Sequence, residues 1–212
     1  MSTSNAPLTH IVCIIDRSGS MQPIAADAIG GYNSFLENQR KLPGEAVVTL
    51  VLFDHEYQRI CSARPIAEAP RLSRENYVPR GTTALLDAIG RTIDDIRNTK
   101  TSAAKTRSNG RAHRSESAKV IVVILTDGME NASTDYSHEA VAAGIKEMRL
   151  ELGWEFVYLG ANQDAISVAG KMNIPAPNSA SFDADSAGMT QACRIMDERV
   201  MYSRRTRDDG DA

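Results

Sequence analysis

At 212 residues and a formal net charge of −3, the chain is long enough for one domain that withdraws about 70% of its unfolded surface from water, and it has no overall positive field to draw it to nucleic acid or an anionic membrane. The three cysteines, Cys13, Cys61 and Cys193, are far apart and form no CxxC pair, which reads as reduced thiols and a cytoplasmic location. The opening MSTSNAPLTH has no basic segment leading into an apolar one, and no run approaches about 18 apolar residues, so neither a secretory leader nor a membrane span is expected.

Along the chain, a tail over 1–8 precedes a single domain over 9–203. The first element is the run IVCIID, five apolar residues ending in Asp16; without alternation it reads as a strand buried on both faces. Ser18 and Ser20 follow at two-residue intervals, Gly19 permits a tight turn, and Pro23 suits a first helical turn. Ile24, Ala28, Tyr32, Phe35 and Leu36 recur at helical spacing and predict a helix over about 23–40, ended by Pro43-Gly44. Residues 46–53 form a second apolar strand, and Asp54-His55 turns it into a short antiparallel edge partner over 56–61. Residues 62–81 carry Pro65, Pro70 and Pro79 among four arginines and read as irregular chain.

Leu85, Ala88, Ile89, Ile93 and Ile96 mark the next helix, with Asp87, Arg91, Asp94 and Asp95 on its wet side. Residues 99–118 have almost no large apolar side chain and several basic ones, and are read as a flexible basic insertion away from the site. Residues 119–125 make a buried strand running into Asp127; Glu130 and Asn131, in the same loop, suit either contacts to metal-bound water or caps of the turn. Val141, Ile145, Met148 and Leu152 stripe a helix; 154–159 is a strand, followed by a turn with Asn162 as the helix N-cap. Residues 180–182 add an edge strand, Met189, Ala192, Cys193, Met196 and Val200 a last helix, and 204–212 a charged tail. Strands alternating with helices predict an α/β, doubly wound (Rossmann-like) fold: a mainly parallel sheet with an antiparallel edge strand and helices on both faces. Ligands of such sheets bind beyond the carboxyl ends of the strands.

Asp16, Ser18 and Ser20 supply one charge and two neutral oxygens at a strand exit. Magnesium takes six oxygens, commonly one or two carboxylates with hydroxyls and water. Thr83, just before a helical pattern, and Asp127, just after a buried strand, stand at matching positions and would complete such a set.

Asp16-Arg-Ser-Gly-Ser20, the Gly-Thr-Thr-Ala-Leu stretch and Thr126-Asp127-Gly128 resemble, in order and spacing, the three loops of a von Willebrand factor A domain, whose metal-ion-dependent adhesion site (MIDAS) has the pattern DxSxS, T, D. The resemblance covers nearly the whole chain. It implies that Ser18, Ser20 and Thr83 bind Mg2+ or Mn2+ directly or nearly so, with Asp16 and Asp127 often acting through water. Thr82 stays open as the alternative to Thr83, which is preferred for its register with the following helix. The Trp-Glu-Phe-Val-Tyr-Leu-Gly-Ala-Asn stretch resembles one in small stand-alone bacterial and phage members of the family. The partner class this implies is an adaptor's: a protein offering an Asp or Glu carboxylate, within an ATPase or a kinase and phosphatase system.

Two functions are therefore weighed. In the first, the chain is a non-enzymatic, metal-dependent protein-binding module. In the alternative, it is a magnesium-dependent phosphoryl-transfer enzyme with Asp16 as nucleophile; Ser18 stands where a haloacid-dehalogenase type of site needs a second aspartate, and no general acid is evident. Serine hydrolysis has no GxSxG elbow to rest on.

Overall fold

The computed structural model of the chain describes residues 8–106, 118–161 and 164–206. Its centre is β1 (Thr9–Asp16), buried along its whole length as the unbroken apolar run requires. A 3-10 turn over Gly19–Ile24, with Pro23 inside it, leads into α1 (Ala25–Arg40). Then come β2 (Ala46–Phe53), β3 (Tyr57–Pro65), α2 (Leu85–Thr106), β4 (Lys119–Thr126), α3 (His138–Leu152), β5 (Glu155–Ala161), α4 (Ala165–Lys171), β6 (Ser179–Phe182) and α5 (Ser186–Arg205).

The sheet has six strands in the order β3-β2-β1-β4-β5-β6. All neighbours are parallel except β2 and β3, which pair antiparallel at one edge. The predicted fold class is thus observed. Alternation along β1 sends Ile11, Cys13 and Ile15 into a core shared with α1 and α5, and Val12 and Ile14 into a second core under α2, α3 and α4. Each such side chain contributes about 1.5–3 kcal/mol by leaving water. From β1 the chain moves to one side of the sheet through β2, then returns to the other through β4. The crevice between the β1 and β4 exits is therefore the switch point at which this architecture places a ligand.

Several boundaries differ from the sequence reading. Strand β3 continues four residues beyond Cys61 because the edge absorbs a register shift, with Ala63 at a φ of 45°. Helix α2 runs through Thr106, well into the expected flexible insertion. Once its first turns are packed, each added residue gains a backbone hydrogen bond, and lysine and alanine favour that extension without any apolar stripe. Residues 107–117 of that segment lie outside the described residues. Asp87 is buried rather than wet: its carboxylate accepts the backbone N–H groups of Thr134 (3.0 Å), Asp135 (2.9 Å) and Tyr136 (2.9 Å). The N-cap of α4 is Asp164, whose side chain accepts from Ser167 N; Asn162, expected there, lies outside the described residues. Arg204 belongs to α5 rather than to a free tail, and it donates to Gln39 O at 2.7 Å and Gly44 O at 3.1 Å. No helix among the described residues is long and apolar enough to cross a membrane.

Candidate metal site

Ile15 pairs with Leu125, so the next residues, Asp16 and Thr126, leave the sheet side by side. Their side chains meet: Thr126 Oγ1 donates to Asp16 Oδ2 at 2.5 Å. The other carboxylate oxygen, Oδ1, accepts the backbone N–H of Ser18 at 2.6 Å, which folds the loop back over the aspartate and turns the serines toward β4. Tyr77 completes the clamp from a distant loop by donating its hydroxyl to Asp16 O at 2.6 Å. Ser18 Oγ then lies 3.1 Å from Ser20 Oγ, and Ser20 Oγ donates to Asp127 Oδ1 at 2.7 Å. Residues 107 positions apart in the chain are thereby in direct contact.

Thr83 joins this group across Gly128. A Cβ built on Gly128 would sit 2.8 Å from Thr83 Oγ1 and 3.6 Å from Ser20 Oγ, so the missing side chain is what lets the β4 loop close against both hydroxyls. Thr83 is buried whereas Thr82 is exposed. The pattern of backbone bonds explains the choice. Thr83 N donates to Asn131 Oδ1 at 2.9 Å and Asn131 N donates back to Thr83 O at 3.0 Å. Glu130 accepts from Leu86 N at 2.9 Å, and Ser133 Oγ from Asp87 N at 3.0 Å. The β4 loop thus caps the first turn of α2 from outside, satisfying donors that a helix start leaves open. Glu130 also caps its own turn, Oε1 accepting Ala132 N at 2.9 Å and Ser133 N at 2.7 Å, whereas the Asn131 side chain bonds Thr83.

The structure therefore brings Asp16, Ser18, Ser20, Thr83 and Asp127 to one place. Asp16, Ser18 and Thr83 are almost wholly buried, Asp127 is 9% exposed, and Ser20 opens to solvent. Burial raises the Asp16 carboxyl to about 6 against the pull of its Thr126 and Ser18 hydrogen bonds, with a small further rise from Asp127. Asp127 is raised as well, by burial, and held down in part by the Ser20 hydroxyl. The groups acting on these acids are hydroxyls, amides and each other. An all-oxygen set of two carboxylates and three hydroxyls, drawn close where Gly128 has no side chain, fits a hard divalent cation.

Arg17, inside the same loop, does not balance these charges. It is 6% exposed and turns to the far side, where Nε donates to Asp54 Oδ2 at 2.8 Å and Nη1 to Gln58 Oε1 at 2.5 Å. Asp54, His55 and Glu56 form a second group with ligand atoms within 4.8 Å of one another. Its composition argues against a metal: Asp54 Oδ2 also accepts Arg80 Nε at 3.0 Å, and Glu56 pairs with the same arginine. Two guanidiniums already occupy the carboxylates. Arg17, Asp54, Tyr77 and Thr126 have no role in the site as read from the sequence, where Asp54 is a turn residue and Thr126 only part of a motif; the one available signal is that Asp54, like Asp16, directly follows a mainly apolar strand.

No protein-family model and no curated protein matches the chain. Solved structures do. A von Willebrand factor type A protein from Catenulispora acidiphila superposes with a TM-score of 0.56 at 18% identity, covering 94% of this chain and 44% of that one. Proximal thread matrix protein 1 from the mussel byssus, with a zinc-occupied MIDAS motif, gives a TM-score of 0.60 at 13% identity, covering 94% and 47%. Manganese-loaded TRAP protein of Plasmodium vivax gives 0.56 at 15% identity, covering 90% and 72%. The chain spans less than half the length of the first two. At these identities the likeness establishes the fold, which is that of von Willebrand factor A domains.

Proposed function

We propose that this chain, having the von Willebrand factor A fold, is a non-enzymatic protein-binding module that captures a partner's Asp or Glu carboxylate through a divalent cation, Mg2+ or Mn2+, held by Asp16, Ser18, Ser20, Thr83 and Asp127. The observation that carries the reading is the contact series Ser18-Ser20-Asp127, joined by Thr83 across Gly128, with no basic side chain hydrogen-bonded to either acid among the described residues. A bound cation supplies a Lewis-acidic vertex to an incoming carboxylate oxygen. The residues do the rest. Asp16 and Asp127 balance the charge of a dication, the three hydroxyls add no further negative charge, and the exposed Ser20 side leaves the approach from solvent open. Metal-bearing relatives in fold, the zinc-occupied mussel protein and manganese-loaded TRAP, support the choice of a metal. A pilus adhesin, SpaC of Lactobacillus rhamnosus GG, shares the fold and supports the choice of role.

The phosphoryl-transfer alternative has less behind it. Asp16 is fully buried and its two oxygens already accept from Thr126 Oγ1 and Ser18 N, so it lacks the open approach an attacking nucleophile needs, while the lone pairs it keeps still suit a small ion or that ion's water. Cys13, Cys61 and Cys193 are unpaired, which supports a reducing, cytoplasmic setting. Titration calorimetry with Mg2+ and Mn2+ tests the metal, with Asp16→Ala as the silent control. Retention of a partner in buffer that is lost in chelator tests the capture. Partner binding indifferent to chelator would remove the proposal.

A further inference from the structure

The loops that bear the hydroxyls are tied together on the side away from the acids, and one residue is the hub of that tie. Asp54 directly follows β2 and has no exposed surface. Its Oδ2 accepts Arg17 Nε at 2.8 Å and Arg80 Nε at 3.0 Å; its Oδ1 accepts Glu56 N at 2.7 Å and lies 3.2 Å from His55 Nδ1; its backbone oxygen accepts Ala84 N at 2.8 Å. Arg17 immediately precedes Ser18, and Ala84 immediately follows Thr83. The two loops also bond to each other beside it, Arg80 N to Arg17 O at 2.9 Å and Gly19 N to Gly81 O at 3.2 Å. Gly81, at a φ of 65°, leaves room for the His55 ring, which a Cβ there would strike.

We infer that Asp54 is a positioning residue for the metal site, setting the distance between the Ser18-Ser20 hydroxyls and the Thr83 hydroxyl, an inference that rests on the metal-binding reading above. Two consequences of its charge reinforce that role. The Asp54 carboxylate holds the Arg17 guanidinium on the far side of the loop, so a positive charge one residue from Ser18 is neutralised and kept off the cation. And because the pair is buried, with side-chain exposures of 7% and 0%, it is poorly screened and keeps one geometry. Outer partners that orient metal ligands commonly change affinity 10–100-fold when removed.

The test uses Mn2+ alone, read by electron paramagnetic resonance and calorimetry on the full chain well below its melting temperature. Wild type binds Mn2+ and Asp16→Ala does not; if wild type binds none, the metal reading itself fails. Given binding, Asp54→Asn, folded by circular dichroism and cooperative melting, weakens Mn2+ about tenfold or more and broadens its resonance as the ligand shell loses its fixed geometry. A folded Asp54→Asn with wild-type affinity and line shape overturns the inference. Should Asp54→Asn not fold, Arg17→Lys, which keeps a cation beside Asp54 but loses the fixed guanidinium fork, is read the same way: several-fold weaker Mn2+ with an altered spectrum supports the inference, and an unchanged one overturns it.

Discussion

The Asp16/Asp127 cluster and the Asp54 cluster lie at the same end of the sheet, yet they balance charge in opposite ways. Around Asp54 the chain brings its own cations, Arg17 and Arg80, both on Oδ2. Around Asp16 and Asp127 it brings hydroxyls and a backbone amide. Neutral dipoles satisfy the lone pairs of a carboxylate but leave its charge standing, and a low-dielectric setting makes that charge costly. A joint is thereby told from a binding site: counting acids finds both, whereas counting the cations already present separates them.

The largest effect is expected on the closed side. Arg17→Ala removes the buried partner of Asp54 and is expected to cost about 3–5 kcal/mol of unfolding free energy by denaturant titration. A loss below about 1 kcal/mol, the range of exposed pairs, would show that Arg80 alone balances the acid. On the open side, Mg2+ at a hundredfold excess over its Kd should raise stability by about 2.7 kcal/mol through mass action. Asp16→Ala should erase that response and His55→Ala should leave it whole. The reverse pattern would move the ion to residues 54–56.

What made the open cluster legible in the sequence is that each part sits where a periodicity stops. Asp16 directly follows an unbroken apolar run, Asp127 follows another after one threonine, and Thr83 precedes a helical stripe, so strand and helix ends, together with the resemblance to the three MIDAS loops, forecast their meeting. The closed cluster carries that mark only at Asp54, which directly follows β2. Arg17 and Arg80 stand 37 and 26 positions from Asp54, and nothing in an arginine's neighbours says which carboxylate it will find. Asp87 was misplaced for a related reason: helical spacing puts it on the polar face, but that face is covered by the 133–136 loop, whose course the sequence does not reveal. The extension of α2 was missed because apolar pattern, its only periodic signal, ends before the helix does.

A finer cut tests the space rather than the charges. Gly128→Ala places a methyl 2.8 Å from Thr83 Oγ1, closer than packed atoms tolerate, and the hydroxyl or the β4 loop must shift. Overpacking of this kind costs about 1–3 kcal/mol, and the same displacement should weaken Mg2+ about tenfold in calorimetry. The stability loss without the affinity loss would place Thr83 outside the ligand set.

The smallest effect is expected at Arg80. Its guanidinium is half exposed and reaches Asp54 and Glu56 from solvent, where screening and side-chain entropy consume most of what an ion pair gains. Removing it leaves Asp54 with Arg17 and the Glu56 amide, and the loop keeps its backbone bonds from Arg80 N to Arg17 O and from Ala84 N to Asp54 O. Arg80→Ala should therefore leave the melting temperature unchanged within error and Mn2+ affinity within about twofold. A larger loss of affinity at unchanged melting temperature would assign the alignment of Thr83 to the Arg80 side chain, because the backbone bonds that remain would then have proved too weak to hold the loop in place.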